Sequence, residues 1–223
     1  MKLNIKKSRL EINKTTKEKA LEYFDYLPEE VVNYQKGLDL YKDIPYSIIA
    51  FEELIDAIEA ANLIFLGDFH TFDQSSKNLE RLLKKFFNRS HNITLGVEFV
   101  HIKHQNYIED YLNNIITERE FLESINYKES WRFPWIHYKT FFQLARENKF
   151  QIVALNSEGD INQRDIEAAK VINQYMTVKP KDYFFILFGE LHILPNRLPK
   201  ITKELSDIDF NEIIIHQNLE DIY

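Results

Sequence analysis

The sequence predicts an α/β fold: a mostly parallel central sheet of five or more strands, flanked by helices, with an N-terminal helical extension. Three observations predict it. Five short runs, at 63–66, 93–99, 151–155, 183–188 and 212–215, have strand length and are largely apolar, as suits strands buried on both faces of a parallel sheet. Segments with apolar residues at helical spacing separate them, and that alternation marks βαβ construction. Each run also ends in a polar residue able to do chemistry, and ligands of open α/β sheets sit beyond the carboxyl ends of the strands.

Residues 1–14 read as a polar arm. Helices are predicted over 15–27 and 29–41, with Pro28 placed to open the second. Pro45 closes this unit, so 1–45 read as a helical extension and 46–223 as the α/β domain. Residues 47–61 form an amphipathic helix with Phe51, Leu54, Ile55 and Ile58 on one face, feeding the first strand. Thr71 and Asp73 are positioned to cap a helix over 74–88. The second strand contains Gly96 and Glu98, and a helix over 103–113 comes after it. Thr117 and Glu120 match a capping box that starts another helix toward Ile125. Residues 127–138 read as an aromatic loop, followed by a helix over 139–148 and the third strand, ending in Asn156. Gly159 and Asp160 turn the chain into a helix over 162–176. The fourth strand, a short helix flanked by Pro195 and Pro199, and the fifth strand closed by His216 complete the chain.

Composition narrows the function. At 223 residues with a formal charge of -7, the chain lacks the basic balance that nucleic acid or an anionic membrane surface attracts. It has no cysteine, which excludes disulfides, thiolate metal sites and a cysteine nucleophile. No run approaches the ~18 apolar residues of a membrane span. The start is basic, but residues 8–19 are polar and supply no signal-peptide core. The expectation is a soluble chain of the cytoplasm, or of the periplasm or cell envelope if an upstream signal exists, with an oligomer left open.

Two segments repeat one pattern: Leu66-Gly67-Asp68-Phe69-His70 and Phe188-Gly189-Glu190-Leu191-His192. Residues i and i+2 of an extended chain share a face, so each strand tip is expected to offer a carboxylate and an imidazole side by side. Glu98, set between hydrophobes in Gly96-Val97-Glu98-Phe99, needs a partner: a structural cation such as Arg164 or Arg132, or a functional site. His70 and His192 read either as core histidines fixing loops or as site residues. Trp131, Phe133, Trp135 and Tyr138 read as loop packing or as the wall of a flat apolar ligand site. Tyr107 and Tyr111 read as packing residues or phenolate ligands of ferric iron. Carboxylates and imidazoles without thiolates suit Zn, Mn, Fe or Co, or general acid–base catalysis without metal. Gly-x-Ser-x-Gly, P-loop and His-Glu-x-x-His signatures are absent from the sequence.

Together with Gln105, Trp131, Trp135, Ala154-Leu155-Asn156 and Arg164-Asp165, these motifs resemble those of the ChaN-like haem-binding proteins, within the superfamily of Tiki proteases and erythromycin esterases. The likeness spans about residues 60–200. It implies an α/β fold and a site made of the two Gly-x-x-His units and the intervening Glu98. The expected catalytic set is His70, Glu98, Glu190 and His192; the binding set is Asp68, Gln105, Trp131, Asn156 and Arg164. His70, Glu98 and His192 are the expected metal ligands. The implied cofactor is haem or a divalent transition metal, and the implied partner is haem or a small-molecule or peptide ligand. The implied function is haem or iron binding or, alternatively, metal-dependent hydrolysis of Tiki or esterase type. Asp68 stands where the family usually has Glu.

Overall fold

The computed structural model describes residues 47–89 and 92–217, with Val32, Lys36 and Gly37. The helices expected over 15–27 and 29–41 lie outside the described residues, apart from those three positions. The chain falls into two compact units, Ile49–Gln217 and one made of Met1–Ile48 with Asn218–Tyr223. The sheet and the helices that cover it belong to the former.

Among the described residues, five strands alternate with eight α-helices. The chain runs through α1 (Phe51–Glu59), β1 (Leu63–Asp68), α2 (Asp73–Asn88) and β2 (Ile93–His101). A 3-10 turn (Ile102–His104) leads into α3 (Gln105–Leu112), α4 (Glu118–Ser124) and α5 (Tyr127–Ser130). A second 3-10 turn (Trp135–His137) leads into α6 (Lys139–Asn148) and β3 (Gln151–Asn156). Then come α7 (Ile161–Val178), β4 (Tyr183–Gly189), α8 (Leu198–Glu204) and β5 (Glu212–Ile215). The segment expected as an aromatic loop thus carries a helical turn at each end. Helix α2 opens at Asp73 behind Phe72, without a side-chain cap, so neither Thr71 nor Asp73 serves as expected. The Thr117–Glu120 capping box forms as expected.

The sheet has strand order β3-β2-β4-β1-β5, every pair parallel. Alternation along each strand divides the core in two. Ile64, Leu66, Leu95, Val97, Phe185 and Leu187 join the cluster beneath α1, α2, α4 and α6. Leu63, Phe65, Val153, Leu155, Phe184, Ile186 and Phe188 join the cluster against α7 and α8. A sheet covered on both faces explains why its strands are continuously apolar rather than alternating. Because all strands run the same way, their carboxyl ends converge on one rim.

Candidate active site at the carboxyl rim

Glu98 is the centre of that rim. It emerges near the end of β2 and is 4% exposed. Four groups surround its carboxylate. Arg164, in the first turns of α7, donates from Nη2 to Oε1 at 2.5 Å. The Gly189 backbone N–H, at the end of β4, donates to Oε2 at 2.6 Å. The Nε2 atoms of His70 and His192 stand 3.6 Å from Oε2 and Oε1 respectively. Burial pushes the Glu98 carboxyl up, but the charges of His192, His70 and Arg164 and the Gly189 N–H outweigh it and hold Glu98 below its usual range. Arg132, the other cation considered from sequence, instead donates to the Glu129 carbonyl.

Each imidazole is backed by an aspartate. His70 Nδ1 donates to Asp68 Oδ2 at 2.9 Å, and the same oxygen accepts from the Tyr138 hydroxyl at 2.9 Å. His192 Nδ1 donates to Asp165 Oδ1, and Asp165 Oδ2 accepts from Arg197 Nε at 2.9 Å. Asp165 is fully buried. The arrangement is therefore Asp68–His70–Glu98–His192–Asp165, two aspartate-backed imidazoles addressing opposite oxygens of one carboxylate. A carboxylate on one ring nitrogen fixes the tautomer and orientation of the other. The two ends differ in access: the His70 side chain is 22% exposed and that of His192 only 6%. Desolvation lowers the pKa of His70, but the Asp68 hydrogen bond and the charges of Glu98 and Asp68 outweigh it, so the net shift is upward.

The remaining expected site residues fall in various places. Asn156 accepts from Arg164 Nε at 3.1 Å and steadies the guanidinium. Trp131 sets its ring edge-on to His70 with centroids 4.5 Å apart, and Phe133 lies at 4.9 Å. Glu190 points elsewhere. The His192 N–H closes a turn onto the Gly189 carbonyl at 2.9 Å, so the second motif is not extended and its acid and histidine do not share a face. The Glu190 carboxylate instead accepts from His216 Nδ1 at 2.7 Å and from the Gln217 N–H at 2.7 Å. Gln105 spends its amide on the open edge of β3, donating to the Ile152 carbonyl at 3.0 Å and accepting from the Ala154 N–H at 2.8 Å.

Three contributors lie outside the expected catalytic, binding and metal sets. Tyr138 has the ordinary look of loop or wall, Arg197 carries no mark of its own, and Asp165 reads as a charge near the start of a helix. A signal for Asp165 does exist: Asp160 caps α7 through the Asn162 and Gln163 N–H groups, which places Arg164 and Asp165 at the start of the helix, where that helix meets the strand ends.

A metal ion fits this arrangement poorly. Among the described residues no group of three or more His, Asp or Glu side chains is disposed to hold one. Both oxygens of Glu98 already accept from donors, one of them a guanidinium.

The model for "Haem-binding uptake, Tiki superfamily, ChaN" matches residues 54–165, half of the chain. The chain belongs to this family. A search of curated protein sequences returned no match. Among solved structures, the ChaN of Campylobacter jejuni, described as binding haem cofacially, superposes with a TM-score of 0.53 at 14% identity, covering 75% of this chain and 86% of that one. The RRSP effector domain of a MARTX toxin from Vibrio vulnificus CMCP6 matches with a TM-score of 0.48 at 18% identity, over 66% of this chain and 31% of that one. The first of these shows a shared fold.

The ChaN-family rim has features a haem needs: an imidazole anchored by a carboxylate, aromatic ring edges beside it, and a partly exposed guanidinium. Exposed Phe72 and Ile136 lie on α2's approach and on the 3-10 turn packed against α2. Tyr111 is a poor candidate ligand, because its hydroxyl donates to Glu118 and its ring lies between Phe121 and the Arg146 guanidinium. No helix among the described residues is long and apolar enough to cross a membrane.

Proposed function

We propose that this chain binds haem, or a flat anionic ligand of that kind, at the carboxyl rim of the sheet beside His70. The single observation behind the proposal is His70 itself. It is the partly open imidazole of the centre, held on Asp68 by one nitrogen and flanked by Trp131 and Phe133. Family membership supplies the ligand class. In this reading His70 presents Nε2 to the ligand, the aromatic edges cover its face, and Arg164, 24% exposed, pairs with a peripheral carboxylate. Haem iron is held by neutral imidazole nitrogen, so the raised pKa of His70 makes binding through it tighten as pH rises. The test is a hemin titration followed at the Soret band. Wild type is expected to saturate, and His70→Ala to weaken binding at least tenfold. An unchanged curve for His70→Ala sinks the proposal.

One observation favours a second reading, a hydrolase: two aspartate-backed imidazoles meet on one ionised carboxylate. Such a centre holds a proton at His70, the exposed end, and fixes it by the Glu98 charge, which suits general acid–base catalysis. His192 acts through Glu98 rather than on the ligand. Here His70→Ala and Glu98→Gln would abolish turnover of ester or peptide substrates. Absence of turnover in wild type across both substrate classes would remove this reading.

A further inference from the structure

The two loops that carry the imidazoles are tied together by a residue with no contact to the Glu98 carboxylate. Gln217 lies two residues beyond β5 and makes four hydrogen bonds. Its backbone N–H donates to Glu190 Oε1 at 2.7 Å. Its side-chain Nε2 donates to the Gly67 carbonyl at 2.8 Å and to the Ser75 carbonyl at 3.3 Å. Its Oε1 accepts from Asn78 Nδ2 at 3.0 Å. Gly67 and Ser75 bracket the His70 loop, one near the end of β1 and the other in the first turn of α2. One amide therefore draws both ends of that loop together. Glu190 stands two residues before His192 in the turn that follows β4.

The rim needs such a link. The β5 ladder on β1 stops at Ile215 and Leu66, and Gln217 takes the Gly67 carbonyl just past that point. The tips touch directly through the Glu190 N–H and the Asp68 carbonyl at 3.4 Å, long for a bond of this kind. The orientation of the Gln217 amide is set by its neighbours. Two carbonyls require its NH2 group, and Asn78, whose Oδ1 accepts from Gln74 at 2.8 Å, presents a donor to its oxygen.

We propose that Gln217 is a positioning residue of the rim: it clasps the His70 loop to the Glu190–His192 turn and so sets both imidazoles on Glu98 from outside the centre. The hydrogen-exchange part of its test involves no ligand, and only the affinity part rests on the haem reading, so the two can fail separately.

The experiment compares full-length wild type with Gln217→Met, which keeps the length of the side chain and removes its bonds to Gly67, Ser75 and Asn78. Amide exchange is followed at Phe69 and Phe72 in one loop and at Glu190 and His192 in the other, all of them hydrogen-bonded. All four are expected to exchange about tenfold faster, the scale of one net hydrogen bond. The substitution leaves the Gln217 backbone N–H in place, so acceleration at Glu190 and His192 reports that the loops are joined through this residue. Gln105→Ala, which removes two hydrogen bonds at the distant β3 edge, should leave the four rates unchanged, because local opening is insensitive to destabilisation elsewhere. Hemin affinity at the Soret band should fall about tenfold in Gln217→Met, the low end for a group that orients a metal-binding histidine, with no further loss in a His70→Ala background. Asn78→Ala, which frees the amide to turn, replaces Gln217→Met if circular dichroism shows the latter unfolded, and the same four amides should accelerate. Wild-type rates in either loop overturn the proposal. So does equal acceleration in Gln105→Ala, or an unchanged affinity where wild type binds hemin.

Discussion

Replacing Gly67 by alanine tests how the rim is assembled. Gly67 lies inside β1, and a Cβ built on it would fall 2.1 Å from both Cδ and Oε1 of Glu190. The glycine exists to let that carboxylate pass. Glu190 is long enough to rotate away from a new methyl group, so the cost is what it leaves behind. It would forfeit the His216 and Gln217 hydrogen bonds, both 2.7 Å, in a buried setting. Hydrogen bonds to charged groups contribute about 1.5–3 kcal/mol each. Gly→Ala at a compatible backbone returns about 0.4–1 kcal/mol. The net expected loss is ~3 kcal/mol, equivalent to a fall in Tm of roughly 6–12 °C for a domain of this size. The assay is a double-mutant cycle in urea, with Gly67→Ala measured alone and in a Glu190→Ala background. Without the carboxylate there is nothing to displace, so the alanine should become neutral or slightly stabilising and the coupling should approach ~3 kcal/mol. Additivity within about 0.5 kcal/mol would refute the account of why position 67 is glycine.

Three further outcomes are expected. Asp165→Asn takes away the fully buried carboxylate that pairs with His192 Nδ1 and Arg197 and should destabilise the fold by about 3 kcal/mol, measured by denaturant unfolding; a loss under about 1 kcal/mol contradicts the assignment. Gln105→Ala removes two hydrogen bonds from the β3 edge, costing about 2 kcal/mol and raising concentration-dependent aggregation through the exposed strand; light scattering at matched stability checks the second effect. The pH dependence comes from His70, whose folded pKa lies above 6.5: its stabilisation is full below 6.5 and is lost as pH rises through the folded value. The Tm gap between wild type and His70→Asn should therefore narrow on the alkaline side of 6.5, and a gap constant from pH 6 to 9 would count against the charged pairing.

The fold is legible in the sequence because a two-sided parallel sheet writes itself as short continuous apolar runs. All five runs are strands, in parallel pairing. The site is only half legible. Glu98 declares itself as a charge among hydrophobes, and its need for a cation is met by Arg164, one of the two considered. Asp165 and Tyr138 do not declare themselves, because an acid early in a helix and a tyrosine in an aromatic stretch have ordinary explanations, and only tertiary contact separates the cases. Gln105 misleads for a related reason: the sequence does not reveal which strand is an edge, and so which amide is needed to close it. Glu190 misleads because strand alternation stops at Gly189, where a turn begins.

The two Gly-x-x-His motifs look alike because they solve one spatial problem from opposite sides. Asp68 pairs in register with Gly189 across β1 and β4, so the two tips stand side by side. A carboxylate leaving one strand must then cross its neighbour's backbone. Glu190 crosses at Gly67, and Glu98 reaches the Gly189 N–H from β2 on the other side of β4. Each glycine thus serves an acid of an adjacent strand rather than the acid next to it in sequence. A Cβ at Gly189 would lie 3.2 Å from both Glu98 Oε2 and His70 Nε2, tight but short of the overlap at Gly67. The repeated sequence therefore has unequal consequences: the first glycine makes room for a strut, Glu190, that ties the end of β5 to the end of β4 across β1, and the second shapes the Glu98 centre itself. A substitution at Gly189 should accordingly alter ligand binding more than stability, and one at Gly67 the reverse.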